Sequence, residues 1–235
     1  MSSPFYTSDS EFLAAFRVAL SPERLETYLR HTNGDQVLAL RLYTWNTAVS
    51  AAFYGPLQAL EVSLRNALHE QLYAAYGERW YENPAAGLAG NTLRKVEEAK
   101  RKLERSRYTL EPSRLITELS FGFWVGLLGH GGQRNDQNQG KASYEMTLWR
   151  PALHRAFPNV RISRKKVHQP LDYLRMFRNR IAHHEPIFSR HLEKDYASIL
   201  QVTEWISVQA ADWIRGHSRV AGLLKLDWKT DDLQF

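Results

Sequence analysis

Apolar positions recur at helical spacing along almost the whole chain, and no run sustains the period of two that a strand requires. Phe12, Leu13 and Phe16 mark a first helix over residues 8–17, opened by Ser8. Ser21-Pro22-Glu23 combines a capping serine, a proline at the first helical position and an acid in the first turn, which predicts a helix to His31 stopped by Asn33-Gly34. A third helix starts at Asp35, and Gly55-Pro56 is expected to break or kink it. Beyond the proline, Leu57, Leu60, Leu64 and Leu68 form an apolar stripe, with Glu61, Arg65 and His69 on one face beside it. That polar strip fits either a solvated flank or a face turned into a cleft or dimer seam.

Residues 77–90 predict a loop anchored by Trp80 and Tyr81, and residues 91–107 a charged helix. Glu111-Pro112-Ser113 starts a helix carrying Leu115, Ile116 and Leu119 into the apolar stretch 121–128. Residues 129–140 predict a mobile loop, and 144–157 a helix ended by Pro158. Ser163 caps a helix that stops near His184, ahead of Pro186. A final helix spans 191–215 and ends at Gly216; the tail after Ser218 carries no assignable pattern. The expected fold is a single all-α domain over 1–235, a helical bundle with additional helices.

Composition narrows the chemistry. With no cysteine, disulfides, thiolate zinc sites, iron–sulfur clusters and cysteine nucleophiles are excluded, and a cytoplasmic location is expected. No apolar run reaches membrane-spanning length, and the N-terminus lacks a signal-peptide pattern, so no membrane association is expected. His69-Glu70 begins like a zinc-protease HExxH motif, but Tyr73 holds the second ligand position, and no metal or cofactor is expected.

The net charge of +6 suits an anionic partner. In residues 91–107 seven cations, among them Arg94, Lys95, Arg101, Lys102 and Arg105, face three acids. Arg161, Arg164, Lys165, Lys166 and His168 form a second basic cluster. Each fits a solvated surface or an RNA-contacting face.

The densest chemistry lies in Phe177-Arg178-Asn179-Arg180-Ile181-Ala182-His183-His184-Glu185-Pro186. Val167, Leu171, Leu174 and Ile181 define a stripe whose centre Arg178 occupies, so Arg178 is expected to face the core, paired with a buried acid or opening onto a cleft. Asn179 and His183 share an adjacent face, and helical geometry sets Arg178 and His183 about 140° apart. These residue types suit RNA cleavage. Attack of a ribose 2′-hydroxyl on the adjacent phosphate needs proton transfer, which His supplies, and charge stabilisation, which Arg supplies. Arg180 and His184 form a rival pair at i,i+4.

Arg178-Asn179-Arg180-Ile181-Ala182-His183 matches the RNxxxH form of the HEPN superfamily motif, and the following His184 and Pro186 resemble the Abi-like (AbiD/AbiF) abortive-infection family. Leu60-Glu61-Val62-Ser63-Leu64-Arg65-Asn66, Glu118-Leu119-Ser120-Phe121-Gly122-Phe123-Trp124 and residues 149–158 are similar to further blocks of that family, which gives a family-like core at about 35–215. The resemblance implies a HEPN-type helical bundle, a homodimer that joins two motifs in one cleft, and metal-independent RNA cleavage in a toxin or phage-defence setting. Products would carry 2′,3′-cyclic phosphate and 5′-hydroxyl ends. It implies catalytic roles for Arg178, Asn179 and His183, with Arg180, His184, Arg65 and His69 as accessory candidates. Two other functions fit such a chain: a non-catalytic RNA-binding protein carrying a structured small RNA, and a toxin–antitoxin partner module.

Overall fold

The computed structural model describes residues 10–109, 111–134, 140–230 and 234–235. They form an all-α fold whose only extended pairing among the described residues is one antiparallel bridge, Gln133 with Lys141. The helices are α1 (Ser10–Leu20), α2 (Pro22–His31), α3 (Gln36–Tyr76), α4 (Gly90–Arg105), α5 (Pro112–Glu118), α6 (Phe121–Leu127), α7 (Arg164–Ala182), α8 (Leu192–Ile206), α9 (Val208–His217) and α10 (Val220–Leu223). No helix among the described residues is long and apolar enough to cross a membrane. Ser8 and positions 135–139 of the expected mobile loop lie outside the described residues.

The chain groups into two compact units: Met1–Gly55 with Arg180–Tyr196 and Ser218–Phe235, and Pro56–Asn179 with Ala197–His217. In the first, Tyr28 is buried, with its ring 5.2 Å from that of Tyr43 and 5.1 Å from that of Phe188. The tail joins this unit: the Trp45 indole donates to the Leu223 carbonyl at 3.2 Å. Ser21 caps α2, accepting a hydrogen bond from the Arg24 amide, and left-handed Asn33 and Gly34 follow its end. In the second unit, the α3 leucines at 57, 60, 64, 68 and 72 are all buried. Each such side chain contributes about 1.5–3 kcal/mol of burial. Trp80 and Tyr81 do anchor the 77–89 loop: both are buried, and Trp80 packs against Phe123 and Trp124.

Four helical expectations are corrected. First, Gly55-Pro56 does not break α3, which runs on for 41 residues. Proline removes one amide donor, but Phe53 and Leu57 on either side are buried, which offsets the roughly 3 kcal/mol loss. Second, residues 111–128 form two helices. Leu119 is extended, and Ser120 caps α6 by accepting a hydrogen bond from the Phe123 amide. Third, α8 and α9 divide at Ser207, whose hydroxyl accepts from the Ala210 amide, and Gly216 lies inside α9.

Fourth, residues 144–157 hold a π-helical turn at Glu145–Trp149 and a 3₁₀ turn at Leu153–Ala156 rather than an α-helix. Pro151 cannot donate to the Thr147 carbonyl as an α-helix would require, and the Tyr76 hydroxyl donates to that carbonyl instead. In the loop before it, Gly131 is held at φ 95, and a Cβ there would lie 2.1 Å from the Ala142 carbonyl oxygen.

Candidate functional site

α7 carries the RNxxxH run. Val167, Leu171, Leu174, Phe177 and Ile181 are its buried face. At about 100° per residue, Val167 and Leu171 sit near 0° and 40°, whereas Phe177 and Ile181 sit near 280° and 320°. The buried face turns as the helix proceeds and leaves Arg178, near 20°, at its edge. The expected core-facing position of Arg178 is therefore corrected. Its side chain is 40% exposed, and its Nε lies 3.7 Å from Oε2 of the half-buried Glu61. This is a charge pair longer than a hydrogen bond. Asn179 is half-buried.

Glu61 heads the polar strip of α3. One turn on, Arg65 donates to the Asn66 side chain at 3.3 Å. Two turns on, His69 accepts a hydrogen bond at Nδ1 from the Trp80 indole at 3.1 Å, which leaves the proton of the neutral ring on Nε2. Burial, with a smaller effect from Arg65, holds the His69 pKa below its ordinary value. His168, near the start of α7, is lowered chiefly by burial; Asp172 opposes that, and Arg164, His130 and Arg175 add to it.

In the first unit, the end of α7 is a Schellman turn. The His184 amide donates to the Ile181 carbonyl at 3.0 Å and the Glu185 amide to the Arg180 carbonyl at 2.8 Å. His184 takes the left-handed position, φ 56, that glycine usually fills. Three side chains hold this turn and the segment after it. Arg24 donates to the His184 carbonyl at 2.7 Å. Arg180 donates to the Pro186 carbonyl at 3.3 Å, and its Nε lies 3.3 Å from the Glu185 carboxylate, close enough for an ion pair although the angle excludes a hydrogen bond. Buried Asn46 accepts from the Ile187 amide at 2.8 Å and the Phe188 amide at 3.1 Å.

Arg180 is thus engaged in closing the turn. His183 is exposed, and among the described residues no hydrogen bond or ion pair holds its imidazole. His184 lines a cavity of about 330 Å³ with Arg24, Tyr28, Tyr43, Asn46 and Ser50. Sequence reasoning missed Asn46 and Arg24. Asn46 did leave a signal: it follows Leu42 by four residues on an otherwise apolar helix face, where a polar residue needs a partner.

The basic candidates divide by role. On α4, Thr92, Val96, Ala99 and Leu103 are buried, and Arg94, Lys95, Arg101 and Arg105 are exposed. Arg101 donates to the Glu97 carbonyl, and Lys102 is paired with Glu118. Lys165 and Lys166 are exposed on the first turn of α7. Arg164 instead serves the fold: only 16% of its side chain is exposed, and it donates to the Leu128 carbonyl at 2.7 Å and to Glu145 at 3.1 Å.

No curated protein and no solved structure matches the chain. A family model described as Abi-like protein matches residues 2–189, most of the chain and all of the RNxxxH run. The chain belongs to the Abi-like protein family.

Proposed function

We propose that this protein is a metal-independent endoribonuclease of the HEPN type, acting in phage defence by abortive infection. Membership of the Abi-like family points to the defence role. The nuclease reading is supported by one observation above the others: the RNxxxH run closes α7 on an ordered turn with His183 exposed and its imidazole unengaged. His183 transfers the proton. Its imidazole takes the 2′-hydroxyl proton as the O2′–P bond forms, or gives one to O5′ as the P–O5′ bond breaks. Arg178 offers its guanidinium to the negative charge on phosphorus oxygens, a role Arg180 is less free to fill while it holds Pro186. Asn179 orients phosphate or imidazole. The chain is read as one HEPN-like domain that pairs as a homodimer, the second copy completing the groups around one phosphate.

The test is incubation of purified protein with total RNA in EDTA, followed by mapping of product ends. Cleavage leaving 2′,3′-cyclic phosphate and 5′-hydroxyl termini is expected, reduced about 10²–10⁴-fold in His183→Ala. A similar loss is expected in Arg178→Ala, with circular dichroism unchanged in both. Cleavage that survives both substitutions refutes the assignment. A second reading, RNA binding without cleavage, is favoured by the exposed Arg94, Lys95, Arg105, Lys165 and Lys166. It predicts salt-sensitive binding, no product, and no effect of His183→Ala.

A further inference from the structure

The segment that fails to form the expected helix builds a groove of its own. Its volume is about 890 Å³, within the range of ligand sites, and its walls run from Glu145 to Val167 within the second unit. The π-helical turn, Pro151 and the 3₁₀ turn bring Arg150, His154 and Arg155 to it, and Arg161 joins them from the segment before α7. All four are exposed.

Glu145 is the sole carboxylate of the lining, and two guanidiniums already neutralise it, Arg150 at 3.2 Å and the largely buried Arg164 at 3.1 Å. Arg155 donates to the Pro151 carbonyl at 2.9 Å, and no ion pair ties Arg155 or Arg161 to an acid among the described residues. The His154 Nδ1 lies 3.0 Å from the Trp149 carbonyl oxygen, so Nδ1 carries the proton and Nε2 remains for a ligand. Beneath this cationic rim, the buried Trp149 and Phe157 pack with ring centroids 6.0 Å apart, and the half-buried Val160 and Ile162 give the groove its accessible apolar floor. π-helical turns recur at functional sites, and a surplus of guanidiniums over carboxylates above an apolar floor matches a chain of phosphates carrying planar bases.

We infer that this groove binds a single-stranded RNA segment, with Arg150, Arg155 and Arg161 on its phosphates, separately from the Arg178 and His183 chemistry. The inference rests on RNA being the protein's ligand. A free phosphate would not use the apolar floor, and an acidic peptide is the competing occupant.

The experiment measures binding of a fluorescent 20-nucleotide single-stranded RNA across a salt series. Wild type is compared with Arg150→Ala/Arg155→Ala/Arg161→Ala and with a control that removes equal charge elsewhere, Arg17→Ala/Arg30→Ala/Lys225→Ala. The groove variant should bind roughly tenfold or more weakly, and its log–log salt slope should flatten by about 2, near 0.7 per lost phosphate contact. The control should stay close to wild type. Ultraviolet cross-linking of wild type, which needs no variant, should map RNA to residues 145–167. A groove variant no weaker than the control, cross-links confined to other segments, or no RNA binding by wild type overturns the inference. So does a groove that captures poly-glutamate while RNA cross-links elsewhere.

Cleavage is scored in parallel. Groove-dependent binding without any cleavage keeps the inference and removes the nuclease reading. Cleavage lost in His183→Ala, beside an unaffected groove variant, does the reverse.

Discussion

Replacing Asn46 by alanine tests how the end of the RNxxxH run is held. Asn46 is 6% exposed, and its Oδ1 is the acceptor for two consecutive backbone amides, Ile187 at 2.8 Å and Phe188 at 3.1 Å. Alanine keeps the helix and removes both acceptors. The Ile187 amide is buried and stranded, whereas the Phe188 amide is only partly buried and regains some hydration. At about 1–3 kcal/mol for each unsatisfied donor, discounted for Phe188, the expected loss is about 2–4 kcal/mol. That is a large share of the roughly 5–15 kcal/mol that holds a domain folded. It corresponds to a fall of roughly 5–15 °C in melting temperature for a chain of this size. Urea denaturation should show the midpoint falling with the slope unchanged, and amide exchange at 187 and 188 should accelerate before global unfolding. A loss below about 1 kcal/mol, or unchanged exchange at both amides, refutes the claim that Asn46 holds this segment.

His184→Gly should raise stability by about 0.5–1 kcal/mol in thermal melts, because glycine adopts the left-handed turn position without strain; a lower melting temperature would assign the cavity-lining imidazole a larger stabilising part. Asp195 is fully buried and receives two hydrogen bonds from Arg190, at 2.9 and 3.0 Å, so Asp195→Ala should cost about 3–5 kcal/mol, and a loss under ~1 kcal/mol would contradict the pair's burial. His69 and His168 both have pKa values depressed below 6.5 by burial. As pH falls through 6.5 the unfolded chain takes up these protons first, so stability drops until the folded-state pKa values are passed and then levels off. His69→Gln, which retains an acceptor for Trp80, should flatten its share of that profile; an unchanged profile in equilibrium denaturation from pH 7.5 to 4.5 would show that His69 is not depressed.

Where local signals agreed with tertiary demand, the sequence was readable. Ser21-Pro22 starts α2 at the expected residue, the α3 leucine stripe is buried along its length, and Trp80 and Tyr81 pin their loop. Where a distant side chain decided the backbone, it was not. Nothing near Pro151 announces that Tyr76 will take the Thr147 carbonyl, and nothing near Ile187 announces that Asn46 will accept its amide. Arg178 leaves the core for a different reason: Phe177 is buried as well, and its burial shifts the face past the stripe of Val167, Leu171, Leu174 and Ile181. Ser120 and Ser207 were legible in principle, since a serine within a helical run is as good a cap as an interior residue.

The Trp80–His69 bond gives the 77–89 loop a chemical clock. With Nδ1 engaged by a fully buried indole and Nε2 already carrying the proton, the neutral imidazole has no free lone pair for an acylating reagent. Each opening of the loop frees Nδ1 and exposes the indole proton to exchange at the same moment. Carbethoxylation of His69 and deuterium uptake at the Trp80 indole should therefore advance together, and their common rate counts how often this part of the chain lifts.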